Sequence, residues 1–393
     1  MVDFSTYDAV VVGCGLTGSV IARYMAETMG KSVLVLERRN HIAGNMYDYQ
    51  HENGLRVQQY GPHTFHTTKK PLFDFMCKYA DWEEYYVTCM AEIDGKSTPS
   101  PFNFQTLDDF FSEEKAEKIK EHIRQQYGNA DKATIVDMLN SQDSYVKEYA
   151  DFLFEKDYSL YTAKQWGISP QEIDVSVLKR VPVLFSYKTG YFDDKFQAMP
   201  KQGFTQLIGT ILNHKNITVK LEIEAKDYVS IDDGKILLNG METEKVIVYT
   251  GAADELLDCK YGALPYRSLR FDFKEENTDS YQEAPIVAYP QAENYTRITE
   301  YSKMPVQETK GKTVIAVEYP QPYEQGISEP YYPILTEDSK ALYQKYQDDL
   351  SEIPNLYLCG RLADFKYYNM DQALERALEI CKKIETRTGD EKS

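Results

Sequence analysis

The stretch Tyr7–Gly18, Y-D-A-V-V-V-G-C-G-L-T-G, restricts the possible folds of this chain more than any other. An apolar run, Ala9–Val12, enters Gly13-x-Gly15-x-x-Gly18 directly, and a helical pattern, S-V-I-A-R-Y-M-A-E-T-M, follows without a break. Gly13 permits a tight turn, Gly15 lets backbone approach a pyrophosphate, and Gly18 lets helix and strand pack closely. The helix start then presents free N–H groups and a positive dipole end to phosphate. A second apolar strand, Ser32–Leu36, ends on Glu37, an acid placed to accept hydrogen bonds from a ribose diol. A glycine-rich turn alone would be weak; strand, turn, helix and acid together specify a Rossmann-like dinucleotide-binding unit.

The 393 residues suffice for two or three domains with buried cores. A formal charge of −18 makes nucleic acid an unexpected partner, so an anionic ligand has to be held by a few locally placed arginines. Cys14, Cys77, Cys89, Cys259, Cys359 and Cys381 form no C-x-x-C pair and read as reduced, buried thiols of a cytoplasmic protein. The first strand follows the N-terminus without a leader pattern. No apolar run approaches the roughly 20 residues that span a bilayer, so membrane insertion is not expected. Tyrosine is abundant, 32 against 17 Phe and 2 Trp, and offers flat apolar faces with a polar tip.

Along the chain, E-R-R-N-H-I-A-G-N brings a Gly44-Asn45 turn under the dinucleotide, and Y-G-P-H-T-F-H-T follows at Tyr60–Thr67, which favours a flavin over NAD. Residues 72–80 read as a helix and 85–98 as a hairpin about Asp94-Gly95. From Thr106, the expected N-cap, to Tyr158 the pattern is helical with a charged, solvated face. Residues 182–200 read as strand, turn, strand; F-T-Q-L-I-G-T-I-L as a helix; N-I-T-V-K-L as a strand; and K-V-I-V-Y-T-G-A as a strand returning to the nucleotide sheet, after a hairpin at Asp233-Gly234. Short strands between 266 and 320 predict an antiparallel sheet. The chain closes with L-Y-L-C-G-R-L-A-D, ending its strand at Gly360-Arg361, and with a helix whose start near Met370 is expected to point at the pyrimidine end of an isoalloxazine. There is no G-x-S-x-G and no metal-ligand spacing. His63 and His66 stand three apart without a third ligand, so a histidine facing the cofactor is expected rather than a metal.

The motifs V-V-V-G-C-G-L-T-G, E-R-R-N-H-I-A-G-N, Y-G-P-H-T-F-H-T, Y-T-A-K-Q-W-G, L-K-R-V-P-V, Y-F-D-D-K-F-Q-A-M-P, Y-T-R-I, E-P-Y-Y-P and G-R-L-A-D-F-K-Y-Y come in one order over nearly the whole chain. In this they resemble the UDP-galactopyranose mutases of bacterial type. The resemblance implies an α/β fold in which a Rossmann-like FAD-binding domain (1–80, 201–262 and 345–388) is interleaved with a helical domain (104–178) and an antiparallel β-sheet domain (81–103, 179–200 and 263–344). It implies an isomerase in which N5 of reduced FAD attacks the anomeric carbon of a nucleotide sugar and displaces the diphosphate. The sugar recloses through another hydroxyl, with no net redox change. Carried over, the catalytic residues are Arg180, Arg297 and His63. The cofactor residues are Gly13, Gly15, Leu16, Thr17, Gly18, Glu37, Arg38, Gly44, Asn45, His63, Thr64, Val219, Gly360, Arg361, Asn369 and Met370. The substrate residues are Tyr161, Thr162, Trp166, Arg180, Tyr191, Phe192, Arg297, Tyr332, Tyr367, Val87 and Asn369. Arg180 and Arg297 are the implied diphosphate arginines, Arg180 on a loop closing over substrate, and Tyr191 is implied to stack on the base. A homodimer and an external electron source, NAD(P)H or a reductase, are also implied.

Three departures touch the sugar and nucleotide. Val87 stands where the family usually has Asn, Asn369 follows K-Y-Y where an acid is usual, and the segment before Y-T-R-I is about one residue shorter and lacks the Asn that the family commonly carries on its nucleotide side. UDP-galactose remains the first expectation, with dTDP-fucopyranose or UDP-N-acetylgalactosamine as alternatives on the same chemistry. A flavin amine-oxidase-like oxidoreductase is the alternative of another class, since it shares the N-terminal fingerprint and the closing strand and helix.

Overall fold

Four-residue runs without a charged or amide side chain, A-V-V-V, V-L-V-L and V-I-V-Y, need both faces of a sheet covered. In the computed structural model, which describes residues 2–166 and 181–390, they form the centre of a five-stranded parallel sheet. Its strands are β1 (Ala9–Val12), β2 (Val33–Leu36), β3 (Ile217–Lys220), β4 (Val246–Tyr249) and β5 (Leu356–Leu358), in the order β3-β2-β1-β4-β5. Val11, Val33, Val35 and Val248 face α1 (Leu16–Glu27) and α2 (Met370–Asp390). Val10, Leu34, Leu36, Ile247 and Tyr249 face the opposite layer, which includes the hairpin of strands Val229–Asp232 and Lys235–Leu238 and the helix Glu337–Ser351. The strand period of two thus divides one run of side chains between two cores.

A second, seven-stranded sheet runs in the order Tyr332–Pro333, Tyr266–Glu276, Thr313–Pro322, Arg297–Glu300, Ile286–Ala288, Cys89–Ile93 and Lys96–Ser100. It is antiparallel except where Ile286–Ala288 runs parallel to Cys89–Ala91, a pairing between distant parts of the chain that local strand patterns do not specify. The helices from Phe104 to Trp166 close around their own core, including Leu107, Ile119, Val146 and Tyr149.

Several local expectations are revised. Asn103, not Thr106, caps the first of these helices. Its side chain accepts the Gln105 N–H at 2.9 Å, while the Thr106 hydroxyl accepts the N–H of Asn103, so Thr106 is the third residue of a capping box. The strands within 182–200 do not pair with each other: Pro182–Leu184 joins Lys132–Thr134 among the helices, and Phe196–Pro200 sits between Phe65–Thr67 and Trp82–Glu84. That three-stranded sheet packs Phe65 and Met199 into the core under α1, so residues 82–84 and 196–200 belong with the nucleotide sheet, not the large sheet. The expected boundary at 344/345 falls inside the helix Glu337–Ser351, whose Tyr346 and Leu350 bury into the nucleotide-sheet core. Cys77 is exposed and Cys259 only half-buried, unlike the other four thiols. Among the described residues no helix is long and apolar enough to cross a membrane.

Candidate active site

The carboxyl ends of β1, β2 and β4 open into a cleft lined from Glu37 and Arg38 at one side to Asn369 and Met370 at the other. Its floor is the glycine turn. Gly13 has φ +97°, and a Cβ there would lie 2.0 Å from the Thr250 hydroxyl; a Cβ on Gly18 would lie 2.1 Å from the Gly13 carbonyl. Both glycines are therefore required by packing, and the turn at Gly44, where φ is +54°, presses onto Gly15 so that a Cβ on Gly44 would lie 3.0 Å from the Gly15 Cα. Glu37 caps this arrangement, accepting the N–H of Cys14 at 2.9 Å and of Arg39 at 3.0 Å. At the far end, the start of α2 lines the cleft with Asn369 and Met370, and the Asn369 carbonyl accepts the first helical N–H, from Ala373.

All the expected cofactor residues line this cleft except two. Thr64 lies just outside it, at the entry to the strand Phe65–Thr67. Val219 pairs with Val35 within β3 and packs on the sheet core; Ile223, Glu224 and Ala225, four to six residues further on, line that side. A parallel strand contributes its carboxyl end to the ligand crevice, which places these later residues there. The same rule locates Thr250, Gly251 and Ala252 after β4, which sequence reading left unassigned although Y-T-G-A carried the signal. Arg39 and Glu329 were also missed. Glu329 accepts from Arg38 at 3.0 Å and Arg39 at 2.7 Å, holding two guanidiniums at the cleft wall.

Beyond His63 the cleft meets the large sheet. Arg297 donates Nε–H to Glu318 at 2.7 Å; Glu318 is 2% exposed and also accepts the Thr296 hydroxyl at 3.1 Å. Glu318 was not singled out from the sequence, although an acid inside the apolar strand T-V-I-A-V-E-Y is the kind of residue that must have a buried partner. The Arg361 guanidinium stands 5.2 Å and 5.1 Å from the ring centres of Tyr332 and Tyr367, which stack on each other at 5.4 Å, and it donates to the carbonyls of Tyr331 and Tyr368. The His63 ring Nδ1 donates to the Gly61 carbonyl at 2.8 Å, which leaves Nε2 as an acceptor. Burial pushes His63 down to about 4, and the charges of Arg361 and Arg297 act in the same direction. Burial raises the Tyr161 hydroxyl, with Arg297 opposing, and raises Tyr332, where Tyr367 adds to the effect and Arg297 and Arg361 oppose it. His63, Arg297, Arg361, Tyr161, Tyr332 and Tyr367 thus share one electrostatic environment.

The remaining expected substrate residues are less tightly gathered. Tyr191 donates its N–H to the Val87 carbonyl at 3.0 Å, and Val87, 2% exposed, reaches the site through this backbone contact. Phe192 stacks on His66 at 3.7 Å, and His66 pairs with Asp194 at 2.9 Å, which gives His66 a structural partner rather than a place beside His63. Thr162 is half-buried on the helix Ser159–Trp166; Arg180 and the side chain of Trp166 lie outside the described residues. Among the described residues no group of three or more His, Cys, Asp or Glu could hold a metal ion.

Fold and site together define a protein with a Rossmann-like dinucleotide-binding unit whose cleft ends in a pocket of arginines and tyrosines suited to an anionic ligand. Residues 11–79 match the NAD(P)-binding Rossmann-like domain family. Residues 156–367 match the UDP-galactopyranose mutase family, and the chain belongs to that family. It is 31% identical to a UDP-galactopyranose mutase of Mycoplasma pneumoniae, over 96% of each chain. It is 32% identical to a dTDP-fucopyranose mutase of Escherichia coli, over 94% of this chain and 96% of that one. The crystal structure of a reduced UDP-galactopyranose mutase superposes with a TM-score of 0.72 at 16% identity, covering 97% of this chain and 94% of the other, which establishes a shared fold.

Proposed function

We propose that this protein is a FAD-dependent isomerase that interconverts the pyranose and furanose forms of a nucleotide sugar, UDP-galactose first among them. The observation that carries the reading is the convergence of Arg297, Arg361, Tyr332 and Tyr367 beyond His63, at the end of the dinucleotide cleft. A diphosphate-binding pocket there abuts the redox end of a bound dinucleotide. The cleft fits FAD: the Gly13 and Gly18 positions exclude even a Cβ, Glu37 stands at the ribose position, and the positive end of α2 lies at the other extreme.

When bound, reduced FAD supplies the nucleophile, its N5, that displaces the nucleoside diphosphate from the anomeric carbon. The chain's own residues bind and orient. Arg297, its Nε fixed by Glu318, keeps its terminal nitrogens for the departing diphosphate. Arg361, laid over Tyr332 and Tyr367, adds a second cation. His63, neutral and held by Gly61, offers an acceptor without adding a third positive charge. Arg180 is the further diphosphate arginine on the family resemblance.

Cytoplasmic placement, a homodimer and a reductase or NAD(P)H as electron source belong to the same reading. The near-equal likeness to a UDP-galactopyranose and a dTDP-fucopyranose mutase leaves the sugar to be read from Val87 and Asn369. Both replace groups expected to hydrogen-bond or carry charge, and so support a less hydroxylated sugar as the second reading. The test is a turnover balance. The reduced protein should interconvert isomers over many turnovers with no consumption of oxygen or acceptor. Stoichiometric oxygen uptake with an amine, and none of the isomer, would replace the reading with an oxidase.

A further inference from the structure

Between β5 and α2 the chain runs through one short segment, G-R-L-A-D-F-K-Y-Y-N. It first makes a single helical turn, Gly360–Asp364, in which the Asp364 N–H donates to the Gly360 carbonyl at 2.8 Å. The turn stops in a Schellman arrangement: the Phe365 N–H donates to the Leu362 carbonyl at 3.1 Å and the Lys366 N–H to the Arg361 carbonyl at 3.0 Å. Glycine usually takes the left-handed position of that arrangement, but here it is Phe365, at φ +46°. A bulky residue keeps this backbone only where its surroundings impose it. The Phe365 ring lies 5.5 Å from that of Tyr266 and 5.4 Å from that of Tyr343, and the Tyr343 hydroxyl donates to the Ala363 carbonyl at 2.9 Å. The core opposite α1 and α2 thus grips the back of the turn.

Asp364 grips its front. The buried carboxylate accepts the Gly360 N–H at 3.0 Å, the Tyr368 hydroxyl at 3.2 Å, and Arg376 from Nε at 3.2 Å and Nη2 at 3.0 Å. One side chain therefore joins the end of β5, the approach to α2 and the second turn of α2. Four donor contacts fill the carboxylate, so it holds protein groups and not a ligand. The groups it holds belong to the cofactor cleft, which Gly360, Arg361, Leu362, Tyr368, Asn369 and Met370 all line. Tyr368 is fixed at two points, its hydroxyl by Asp364 and its carbonyl by Nη2 of Arg361 at 2.7 Å. Through Tyr368 the same carboxylate steadies the Arg361 guanidinium over Tyr332 and Tyr367.

We propose that Asp364 is the positioning residue for the flavin end of the cleft: its carboxylate shapes the turn that aims Arg361 and the start of α2, and its charge cancels that of Arg376. The inference rests on the FAD-dependent reading above and adds to it the residue that sets the geometry and the charge of that end. Arg376 follows Ala373, which lines the cleft, by one helical turn. With Asp364 in place the pair is neutral. Glu379 lies 3.6 Å from Nη1 of Arg376 but is 59% exposed, so water screens it. Without the Asp364 charge, the guanidinium adds to the positive end of α2 and favours a flavin that has gained electrons over one that has not.

The experiment compares the wild-type FAD holoenzyme with Asp364→Ala, Asp364→Asn, and Asp364→Asn combined with Arg376→Met. FAD release is read from the return of flavin fluorescence after dilution, the flavin potential from dithionite titration against a redox dye, and UDP affinity from calorimetry. Asp364→Ala should release FAD about tenfold faster or more and bind UDP about tenfold more weakly, because the Gly360 N–H and the Tyr368 hydroxyl both lose their acceptor. Asp364→Asn keeps an acceptor without the charge, so it should retain FAD and be reduced at a higher potential than wild type. The double variant carries neither charge and should return to the wild-type potential, whereas a merely structural role gives further damage there. Wild-type FAD release and UDP affinity in Asp364→Ala, a potential that Asp364→Asn leaves unchanged or lowers, or a double variant that does not return overturns the assignment. Should Asp364→Ala not fold, the other two variants decide it through the potential. If the variants match a wild type that holds FAD, this inference alone fails; if the wild type holds no FAD after reconstitution, the flavin reading fails with it.

Discussion

Removing the carboxylate of Glu318 would leave the Arg297 guanidinium without its paired anion. The pair is 2.7 Å apart, the Glu318 side chain is 2% exposed and that of Arg297 is 25% exposed. Breaking a buried pair by deleting one partner costs about 3–5 kcal/mol, and water reaching the quarter-exposed guanidinium returns part of it. We therefore expect Glu318→Ala to lose about 2–4 kcal/mol, and Glu318→Gln, which keeps an acceptor for Nε, to lose about 1–2 kcal/mol. The functional effects should separate differently. In the Ala variant Arg297 is free to turn, so kcat/KM should fall by about tenfold to a hundredfold, equivalent to roughly 1.5–3 kcal/mol. In the Gln variant the guanidinium stays in place and a negative charge beside the diphosphate is gone, so affinity for UDP should hold or rise. Urea unfolding of the FAD-loaded protein gives the stabilities, and calorimetric titration with UDP gives the affinities. Equal stability of Glu318→Ala and wild type, or a Gln variant as impaired as the Ala variant in both measurements, would refute the positioning of Arg297 by Glu318.

Gly13→Ala places a Cβ against the Thr250 hydroxyl at φ +97°, and should purify without flavin bands even after reconstitution with FAD; a normal flavin spectrum would show that the turn yields. Arg297→Ala and Arg180→Ala should keep the flavin and each lose about ten- to a hundredfold in turnover, or more where the leaving group is stabilised, and near-normal activity removes that arginine from the site. His63, titrating near 4 when folded against about 6.5 when unfolded, binds fewer protons in the native state, so its contribution to stability is full above 6.5 and is lost as pH falls towards 4. His63→Gln should flatten that part of the stability curve, and an unchanged slope contradicts the shift. Val87→Asn should raise the preference for UDP-galactose over dTDP-fucose if residue 87 selects the sugar, and should change little if it does not.

The elements that make the dinucleotide cleft were legible because their physics is local. The runs A-V-V-V and V-L-V-L demand burial on both faces, Gly13-x-Gly15-x-x-Gly18 demands a turn without Cβ atoms, and Glu37 follows at the strand end. What the sequence hid is what distant segments do to each other. The parallel pairing of Ile286–Ala288 with Cys89–Ala91 and the separation of Pro182–Leu184 from Phe196–Pro200 depend on long-range register, not on pattern. Val219, named through the resemblance, pairs within its strand, and it is the residues after that strand that line the cleft. Glu318 escaped because a carboxylate on a strand looks like a surface residue until its burial is known. Arg297 and Tyr332 could be named only through the family resemblance; the chain's local patterns do not reveal that they converge on His63.

On the proposed function, the protein converts a nucleotide pyranose into a furanose with no net change in oxidation state. This is tested by incubating the FAD-loaded protein, with and without dithionite, with UDP-galactopyranose, dTDP-fucopyranose and UDP-N-acetylgalactosamine, and following the products by chromatography and proton NMR. A furanose isomer of at least one of these is expected, formed over many turnovers by the reduced protein, absent with oxidised FAD and absent when carbon replaces N5. No furanose from any of them, or equal turnover with oxidised and reduced cofactor, would contradict it.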